Sequence, residues 1–440
     1  MKLRPFVMRI VHCSGQFLVK LVLVFPGCIS GQAAPSFHGP LAWKQSISLL
    51  ESQNSELKAA VDFLRAAEMK KDVAKSGFLP HLTAELKWNE SALTEPNRTG
   101  SLDLKRPYSR SLLLSQNLFA GFKDVSRYKQ SLSEVEEARE KLRAVKSKLS
   151  AELRKSFAEM ALASEILSQT GNIEQRRKDN LRIVQLRFEN GREHRGSVLI
   201  FQAYLDEARF DQVEALSSKK IARAKLARIL GLDEFVEFEI EGYPPNPKPP
   251  TSEPDFLKLA LETPNYLQSV AREQAARLEV AATDSNHYPT LVFETELASE
   301  DENFWPKNEE RWKLGLKLSI PIFSGGRDYG MSKISRSAAW QQEQIRENTL
   351  RSERARLQEA FGNFQMAVSK LRFNQSYKEA VTLRSEIAKK QYQNGLMGFL
   401  DWDWVEGDYV YRMKLYQAAK KELIQAEAAW EEAQGLSVIP

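Results

Sequence analysis

The residues of this 440-residue chain whose types and spacing could do chemistry follow two Asn-Gly turns. They are two acids, Asp401 and Asp403, and a mixed group, Arg192, Glu193 and Arg195. Clustered carboxylates attract cations and repel one another, which raises their pKa values, and the Arg side chains could pair with them to hold two segments together. A plainer interpretation makes Asp401 a helix N-cap, places Asp403 in the first helical turn and leaves the other three as solvated charges. Both interpretations stay open at this point.

Other patterns for catalysis or cofactor binding are weak. No Ser-His-Asp order sits in a nucleophile turn, and Gly325-Gly326 does not open a phosphate-binding loop. The five histidines lack metal-ligand spacing; they are His12, His38, His81, His194 and His287. We therefore expect no enzyme, no cofactor and no metal site.

Charge and hydropathy narrow the class of protein further. The formal net charge is +5, but residues 1–34 hold four basic side chains and no acid, so the remainder carries 59 basic against 58 acidic residues. This near-balance predicts no nucleic-acid partner. The mean hydropathy of -0.44 argues against a polytopic helical membrane protein.

The N-terminus has the form of an export signal, with a basic start, an apolar run at 21–25 and small residues up to Ala34. We predict a signal peptide over 1–33. Its removal would leave no thiol, because the only cysteines are Cys13 and Cys28. The alternative is cleavage before Cys28, which would create a lipidated N-terminus.

The elements that must position these residues include very long helices. From Val125 onward, apolar residues recur at steps of three and four between charged ones, a heptad-like seam without Pro. The first helix would be on the order of 95 Å long, too long for a globular core. Gly191 and Gly395 end the two long helices at tips. The helices are expected at about 123–190, 197–230, 327–393 and 402–434.

Four segments alternate apolar and polar residues, which is typical of strands with one apolar face. Each has roughly the 9 to 11 residues that a tilted strand needs to cross a bilayer, although one such strand alone would also fit a soluble sheet. One shorter helix is expected before the first strand of each pair, over 42–78 and 255–285. The strands are expected at about 81–90, 108–119, 290–299 and 312–323.

This order of elements is duplicated. Gly121 and Gly325 lie at the same place in the two copies and are 204 residues apart, as are the two tip glycines. Gly121 in the first copy, and Pro321, Gly325 and Gly326 in the second, are expected to serve the turn from strand to helix. The chain thus divides into a first repeat, a semi-rigid Pro-rich linker and a second repeat, at 34–242, 243–254 and 255–440.

Four strands cannot close a barrel by themselves, and an open sheet edge is not tolerated in lipid. Several copies of the chain must therefore share one barrel, and three copies would give twelve strands. Closure would leave the long helices parallel, so that they extend the same tube. The polar strand faces would then line water, with Glu85, Lys87, Glu294, Glu296, Lys313 and Lys317.

With these motifs the chain resembles the TolC family of outer-membrane efflux and secretion proteins. The resemblance covers nearly everything after the signal. It rests on the duplicated order, on Leu-x-Leu-Ser-x-x-x-Phe-x-Gly at 112–121 and 316–325, and on the Asn-Gly tips at 187–191 and 391–395. Asn117 departs from the family, which often has Pro there.

The resemblance implies a mixed membrane β-barrel and α-helical barrel. Four strands per chain would join a shared, trimeric, twelve-stranded barrel that long coiled-coil-like helices continue into the periplasm. It implies a duct of a tripartite efflux pump or type I secretion system in the outer membrane, docked to a periplasmic adaptor protein and an inner-membrane transporter. It also implies an acidic constriction near Asp401 and Asp403.

Aromatic residues at strand ends fit interfacial girdles in contact with outer-membrane lipid, although packing within a soluble sheet would explain them too. They are Trp88, Tyr108 and Trp312. The competing class for the whole chain is a periplasmic or secreted coiled-coil scaffold without a pore. A scaffold explains the helices but not four alternating strands at matched positions.

Overall fold

The structure is a computed structural model that describes most of the chain after the N-terminal segment. The predicted signal peptide and Cys28 lie outside the described residues, as do 246–251 of the expected linker. The described residues are 39–93, 103–105, 108–233, 236–245, 252–301 and 310–440.

Helices make up most of the described chain. The two longest, α3 and α7, have 67 residues each, so each is about 100 Å long at about 1.5 Å per residue. None of the helices in the described ranges is long and apolar enough to cross a membrane. In chain order the helices are α1 Trp43–Gln53, α2 Ser55–Lys75, α3 Lys123–Glu189, α4 Arg195–Leu230, α5 Phe256–Glu262, α6 Pro264–Asp284, α7 Arg327–Gln393 and α8 Phe399–Ala433.

The helix expected before each first strand is broken once. Asn54 separates α1 from α2, because its side chain accepts a hydrogen bond from the Leu57 backbone at 2.9 Å and caps the new helix. Thr263 separates α5 from α6, because the following Pro264 disfavours a helical conformation at the residue before it. Both breaks lie where the shorter helices pack against the long ones.

Four strands form one antiparallel sheet in the order β1-β4-β5-β6, and two short strands, β2 and β3, pair separately. Strand β6 ends four residues earlier than expected, because Pro321 has no N–H to donate to a ladder. The strands are β1 His81–Trp88, β2 Ser91–Leu93, β3 Asp103–Lys105, β4 Tyr108–Ala120, β5 Thr290–Asp301 and β6 Arg311–Ser319.

The register of the sheet brings the apolar strand faces together on one side. Leu114 lies opposite Leu82, and Leu297 lies opposite both Leu112 and Trp312. The polar side gathers residues such as Glu296, which is paired with Lys313. The apolar side is open in the single chain, with the Trp312 side chain 78% exposed.

Residues 236–240 alternate polar and apolar side chains but do not form a strand. Only Ile240 pairs, in one parallel bridge with Leu41, supported by a hydrogen bond from the Leu41 N–H to the Glu239 carbonyl at 2.7 Å. The ladder cannot extend, because Pro40 has no N–H and helix α1 begins two residues after Leu41.

The order of the strands in the sheet sets the order of the helices that follow it. Next to the strands, α2, α3, α6 and α7 pack in the same sequence as the strands to which they are joined. Toward the far end, the row becomes α4, α3, α8 and α7. Each chain therefore ends in two antiparallel helical hairpins, α3–α4 and α7–α8, which meet along the seam between α3 and α8.

The strand-to-helix junctions use left-handed backbone in both repeats. Gly121 has φ 61°, and a Cβ there would lie 2.7 Å from the Ser285 carbonyl oxygen, so no larger residue fits. Gly325 and Gly326 have φ 68° and 82° at the start of α7. Phe122 stands where the second repeat has Gly326, and it is the one non-glycine residue of the described chain with positive φ. Pro321 lies just past the end of β6.

Candidate functional site at the helix tips

Both hairpins turn through the same C-terminal cap. At the first tip, the Gly191 N–H donates to the Phe188 carbonyl at 2.9 Å and the Arg192 N–H to the Arg187 carbonyl at 2.8 Å. Gly395 and the residue after it repeat these two bonds at the second tip. Gly191 and Gly395 have φ 68° and 75°, the left-handed conformation that this cap requires. These turns fix the positions of the charged residues that follow each Gly.

The two acids of the second tip face in different directions. Helix α8 begins at Phe399, so its N-cap is Gly398 and not Asp401 as expected. Asp401 lies in the first turn, where an acid is favoured by the helix dipole, and it lines an open groove of about 620 Å³ between α7 and α8. Asp403 lies beyond the first turn and is half-buried, with its carboxylate 3.5 Å from the Tyr204 hydroxyl of α4. Only Asp401 therefore presents an exposed carboxylate at this tip.

The charged group of the first tip does not pair with these acids within the chain. Arg195 is the first residue of α4, and Arg192 is exposed in the turn. Glu193 instead accepts a hydrogen bond from the Tyr392 hydroxyl of α7 at 2.9 Å and another from Ser197 at 2.9 Å. Glu193 thus joins the two hairpins through a tyrosine.

Tyr392 is the centre of the apolar contact between the tips. Its ring is fully buried and stacks on Trp402, with ring centroids 4.1 Å apart, and Trp402 stacks in turn on Phe201 at 5.1 Å. The Arg187 guanidinium donates to the Tyr392 carbonyl at 2.6 Å and lies 4.4 Å from its ring centroid. Tyr392 of α7 thus contacts α3 through Arg187 and α8 through Trp402, and Trp402 continues the stack to Phe201 of α4.

The pKa values at this contact follow from burial and hydrogen bonding. Partial burial by itself raises the pKa of Glu193, but hydrogen bonds from Tyr392, the His194 backbone and Ser197 outweigh it and hold the pKa below its ordinary value of 4.5. The ionised Glu193 carboxylate therefore contributes its full share of folding stability above pH 4.5, the ordinary pKa of the group. This contribution is lost only as the pH falls through the lowered pKa. Burial raises the pKa of Asp403, an effect that Tyr204 and Arg177 partly oppose.

A second contact between the hairpins lies deeper and is ionic. The Glu406 carboxylate of α8 is fully buried and receives the Arg176 guanidinium of α3 through two hydrogen bonds, at 2.9 and 2.7 Å. Asn180 donates to it at 2.9 Å and Ser385 of α7 at 2.6 Å. These donors outweigh the burial that alone would raise the pKa of Glu406, and its pKa is lowered. Four hydrogen bonds compensate the cost of burying this charge.

The sequence does not single out these residues, because charged side chains on long helices are usually solvated. One signal was present for Glu406. Trp402, Val405 and Tyr409 recur at helical spacing on α8, and Glu406 lies within that apolar face. An acid inside an apolar stripe requires a buried partner, although the sequence cannot say which of the many Arg residues supplies it.

The fold and its tips together define a class of protein. An exposed apolar sheet face with open edges, continued by helical hairpins whose longer arms are about 100 Å long, is the form expected of a subunit of an outer-membrane duct. Residues 46–232 and 258–436 match the family described as Outer membrane efflux protein, one match for each repeat, and the chain belongs to this family. Its resemblance to TolC-type proteins is thereby confirmed, together with the mixed barrel fold and the outer-membrane location.

Similar proteins occur among secretion components and solved channels. The chain is 24% identical over 285 residues to the alkaline protease secretion protein AprF of Pseudomonas aeruginosa, covering 62% of this chain and 59% of AprF. It is 22% identical over 411 residues to the proteases secretion protein PrtF of Dickeya chrysanthemi, covering 88% and 87%. The match thus spans less than two thirds of AprF but most of PrtF.

Solved structures share the fold at low identity. The Campylobacter jejuni CmeC outer membrane channel superposes with a TM-score of 0.80 at 17% identity, over 89% of this chain and 85% of that one. CusC superposes with a TM-score of 0.79 at 16% identity, over 91% and 99%. These likenesses establish the architecture of the chain and not its substrate.

The Tyr392 hydroxyl should control how firmly the tips are held. Tyr392→Phe keeps the stacked ring and removes the bond to Glu193, which should cost about 1 kcal/mol because the carboxylate remains partly solvated. The equilibrium between tips joined by this bond and tips released from it should shift by roughly five-fold. We expect a higher open fraction in single-channel recordings in planar bilayers.

The matched control is Tyr411→Phe on α8, where the ring contact with Arg412 is preserved. It should behave as wild type. Equal open fractions in wild type and Tyr392→Phe would show that the hydroxyl does not hold the tips.

Proposed function

We propose that three copies of the chain form one duct. β1 of each copy pairs with β6 of the next, which closes a twelve-stranded barrel and removes the sheet edges that lipid does not tolerate. The observation that carries the proposal is the open apolar face of the sheet, including Trp312 at 78% exposure. In water this exposed apolar face would promote aggregation, whereas in a bilayer it would contact lipid.

The helical part supports the same assembly. The outer helices of the tip row are α4 and α7, and each carries exposed large apolar residues, including Phe210 and Val213 on α4 and Met366 and Phe373 on α7. Packing α7 of one copy against α4 of the next would cover them. The helices would then form a closed tube in line with the barrel.

The sheet also gives evidence for two other parts of the proposal, an aromatic girdle and a water-filled barrel interior. Trp88 and Tyr108 lie opposite one another at the end of β1, and Trp88 and Trp312 are exposed on the apolar side. Aromatic rings at strand ends suit the boundary between lipid and water. The polar side, with Glu296 beside Lys313, would face the water-filled interior.

The cargo is proposed from the sequence relatives. AprF and PrtF bear the names of protease secretion proteins, and PrtF matches along most of both chains. We propose that this chain is the duct of a type I secretion system that exports a polypeptide. A periplasmic adaptor protein and an inner-membrane transporter would deliver the cargo to the helix tips.

The mouth of the duct is proposed at those tips. Three copies would place three exposed Asp401 carboxylates around the opening, with the three Asp403 side chains turned toward α4. A ring of carboxylates favours cations over anions. Arg192 and Arg195 would lie at the neighbouring tip, where they can pair with acids of another copy.

The secretion assignment is tested in cells that hold a type I transporter, its adaptor and a protease cargo but lack a duct. Expression of this chain should restore protease in the medium, and the protein should need detergent to leave the outer-membrane fraction. If the chain restores efflux of small toxic compounds but not protease export, its proposed function is efflux and not protein secretion. A freely soluble mature protein would favour the scaffold.

Asp401 and Asp403 offer a matched pair of substitutions that tests which carboxylate lines the proposed mouth. Asp401→Asn should lower the cation-to-anion permeability ratio of the reconstituted channel, because it removes the exposed charge ring. Asp403→Asn should leave the ratio near that of wild type, because this carboxylate faces Tyr204. Reversal potentials in a salt gradient measure both, and an unchanged ratio in Asp401→Asn removes its assignment to the mouth.

A further inference from the structure

A groove runs along one side of α3, between α4 and α8. Its volume is about 450 Å³, and α3 forms its floor. At the end nearer the tips, the Lys414 ammonium of α8 pairs with the Asp211 carboxylate of α4 at 2.9 Å. The two helices that flank α3 therefore meet across it on this side. We call this feature the α3 groove.

The opposite side of the same three helices is covered by other parts of the chain. The contacts there are Lys219 of α4 with Glu239, Glu165 of α3 with Tyr243, and Phe157 of α3 with Trp43 of α1. A row of helices that closes into a tube curves toward the interior, and this row curves toward the α3 groove. In the proposed duct the groove therefore faces the water-filled channel, and the covered side faces outward.

The floor of the groove is apolar, although it would face water. Leu162, Ile166 and Ile173 line it from α3, and Ala215 and Ile221 line it from α4. Ile221 is 54% exposed, so the described part of the chain leaves its side chain open. A concave apolar surface of this kind is suited to binding apolar groups.

Charged side chains of both signs surround this floor. Three carboxylates and three ammonium groups leave the rim without net charge, so its overall charge selects neither an anion nor a cation. Ammonium groups donate hydrogen bonds and carboxylates accept them, which suits the C=O and N–H groups of a peptide backbone. The charged lining residues are Glu159, Asp211, Glu214, Lys225, Lys414 and Lys421.

The shape of the groove also fits a peptide. Along α3 the lining runs from Glu159 to Ile173, a span of 14 residues, which is about 21 Å at about 1.5 Å per residue. An extended polypeptide rises about 3.3 Å per residue, so about six residues cover this length. Every second side chain of such a segment would point to the floor. A volume of about 450 Å³ spread over this length makes the groove long and narrow.

We propose that the α3 groove binds a short extended stretch of the exported polypeptide, with alternate apolar side chains on its floor and the backbone at its charged rim. Three copies place three such sites around the channel at one level. Each site shelters apolar side chains of an unfolded cargo from water during passage. The inference rests on the proposed secretion duct, because a polypeptide reaches the groove only by passing through that channel.

Peptide block of the full-length trimer in planar bilayers tests this site. The probes are two peptides of equal length and charge, one with Leu and the other with Ser at alternate positions. In wild type the Leu peptide should dwell in the channel longer than the Ser peptide. Ile221→Asn should shorten the dwell time of the Leu peptide about five-fold, because it removes part of the apolar floor, and it should leave the Ser peptide unchanged.

The matched control is Leu216→Asn. Leu216 is on the same helix and is 46% exposed, but it does not line the groove. This variant should keep the wild-type dwell times of both peptides. Ser218→Phe gives a second, independent test, because Ser218 lines the groove and is exposed. The added ring should fill the groove and abolish the difference between the two peptides.

Four results would overturn the inference. They are equal dwell times of the two peptides in wild type, equal shortening by Ile221→Asn and Leu216→Asn, and a Ser218→Phe channel that still holds the Leu peptide. The fourth is block by the small amphipathic cation rhodamine 6G that depends on Ile221 while block by the Leu peptide does not, which would assign the groove to small compounds.

Failure of the site is distinguishable from failure of the proposed function. A wild type that restores protease in the medium but shows no preference for the Leu peptide contradicts only the site. A wild type that shows this preference but exports no protease contradicts the secretion assignment and supports the groove as a site for apolar peptides.

Discussion

Unpaired backbone groups cannot remain in lipid, and the rest of this structure depends on that constraint. The outermost strands of the described sheet, β1 and β6, each have one edge that no other described strand pairs with. Pairing β1 with β6 of another copy satisfies both edges at once. It also fixes where the long helices emerge, because α2, α3, α6 and α7 follow the strand order. The arrangement of the helices in the proposed tube follows from this one hydrogen-bonding requirement.

Much of this fold could be predicted from the sequence because the signals were local and repeated. Alternation with period two fixed the apolar sides of the strands, and the register then joined Leu82 with Leu114 and Leu297 with Trp312 as that alternation requires. The offset of 204 residues aligned the two junctions and the two tips. Strand and helix ends were less predictable, because Pro321 and Gly398 act through single backbone positions.

The tip contacts could not be predicted in the same way. Tyr392 meets Glu193, and Arg176 meets Glu406, across about 200 residues of chain, and no pattern in the sequence specifies such pairs. The two repeats also differ here. Phe188 stands where the second repeat has Tyr392, yet Phe188 is 42% exposed and Tyr392 is fully buried. The seam lies inside one chain, whereas the equivalent contact of α4 with α7 would lie between copies, so the duplicated halves meet different neighbours.

The central claim is that three copies close one barrel through their sheet edges. Electron cryo-microscopy of the protein extracted from outer membranes by detergent tests it most directly. We predict a threefold particle with twelve strands, in which β1 of each copy is hydrogen-bonded to β6 of the next and the helices continue as one tube. Single copies, or a particle in which β1 and β6 pair with something other than each other, would contradict it.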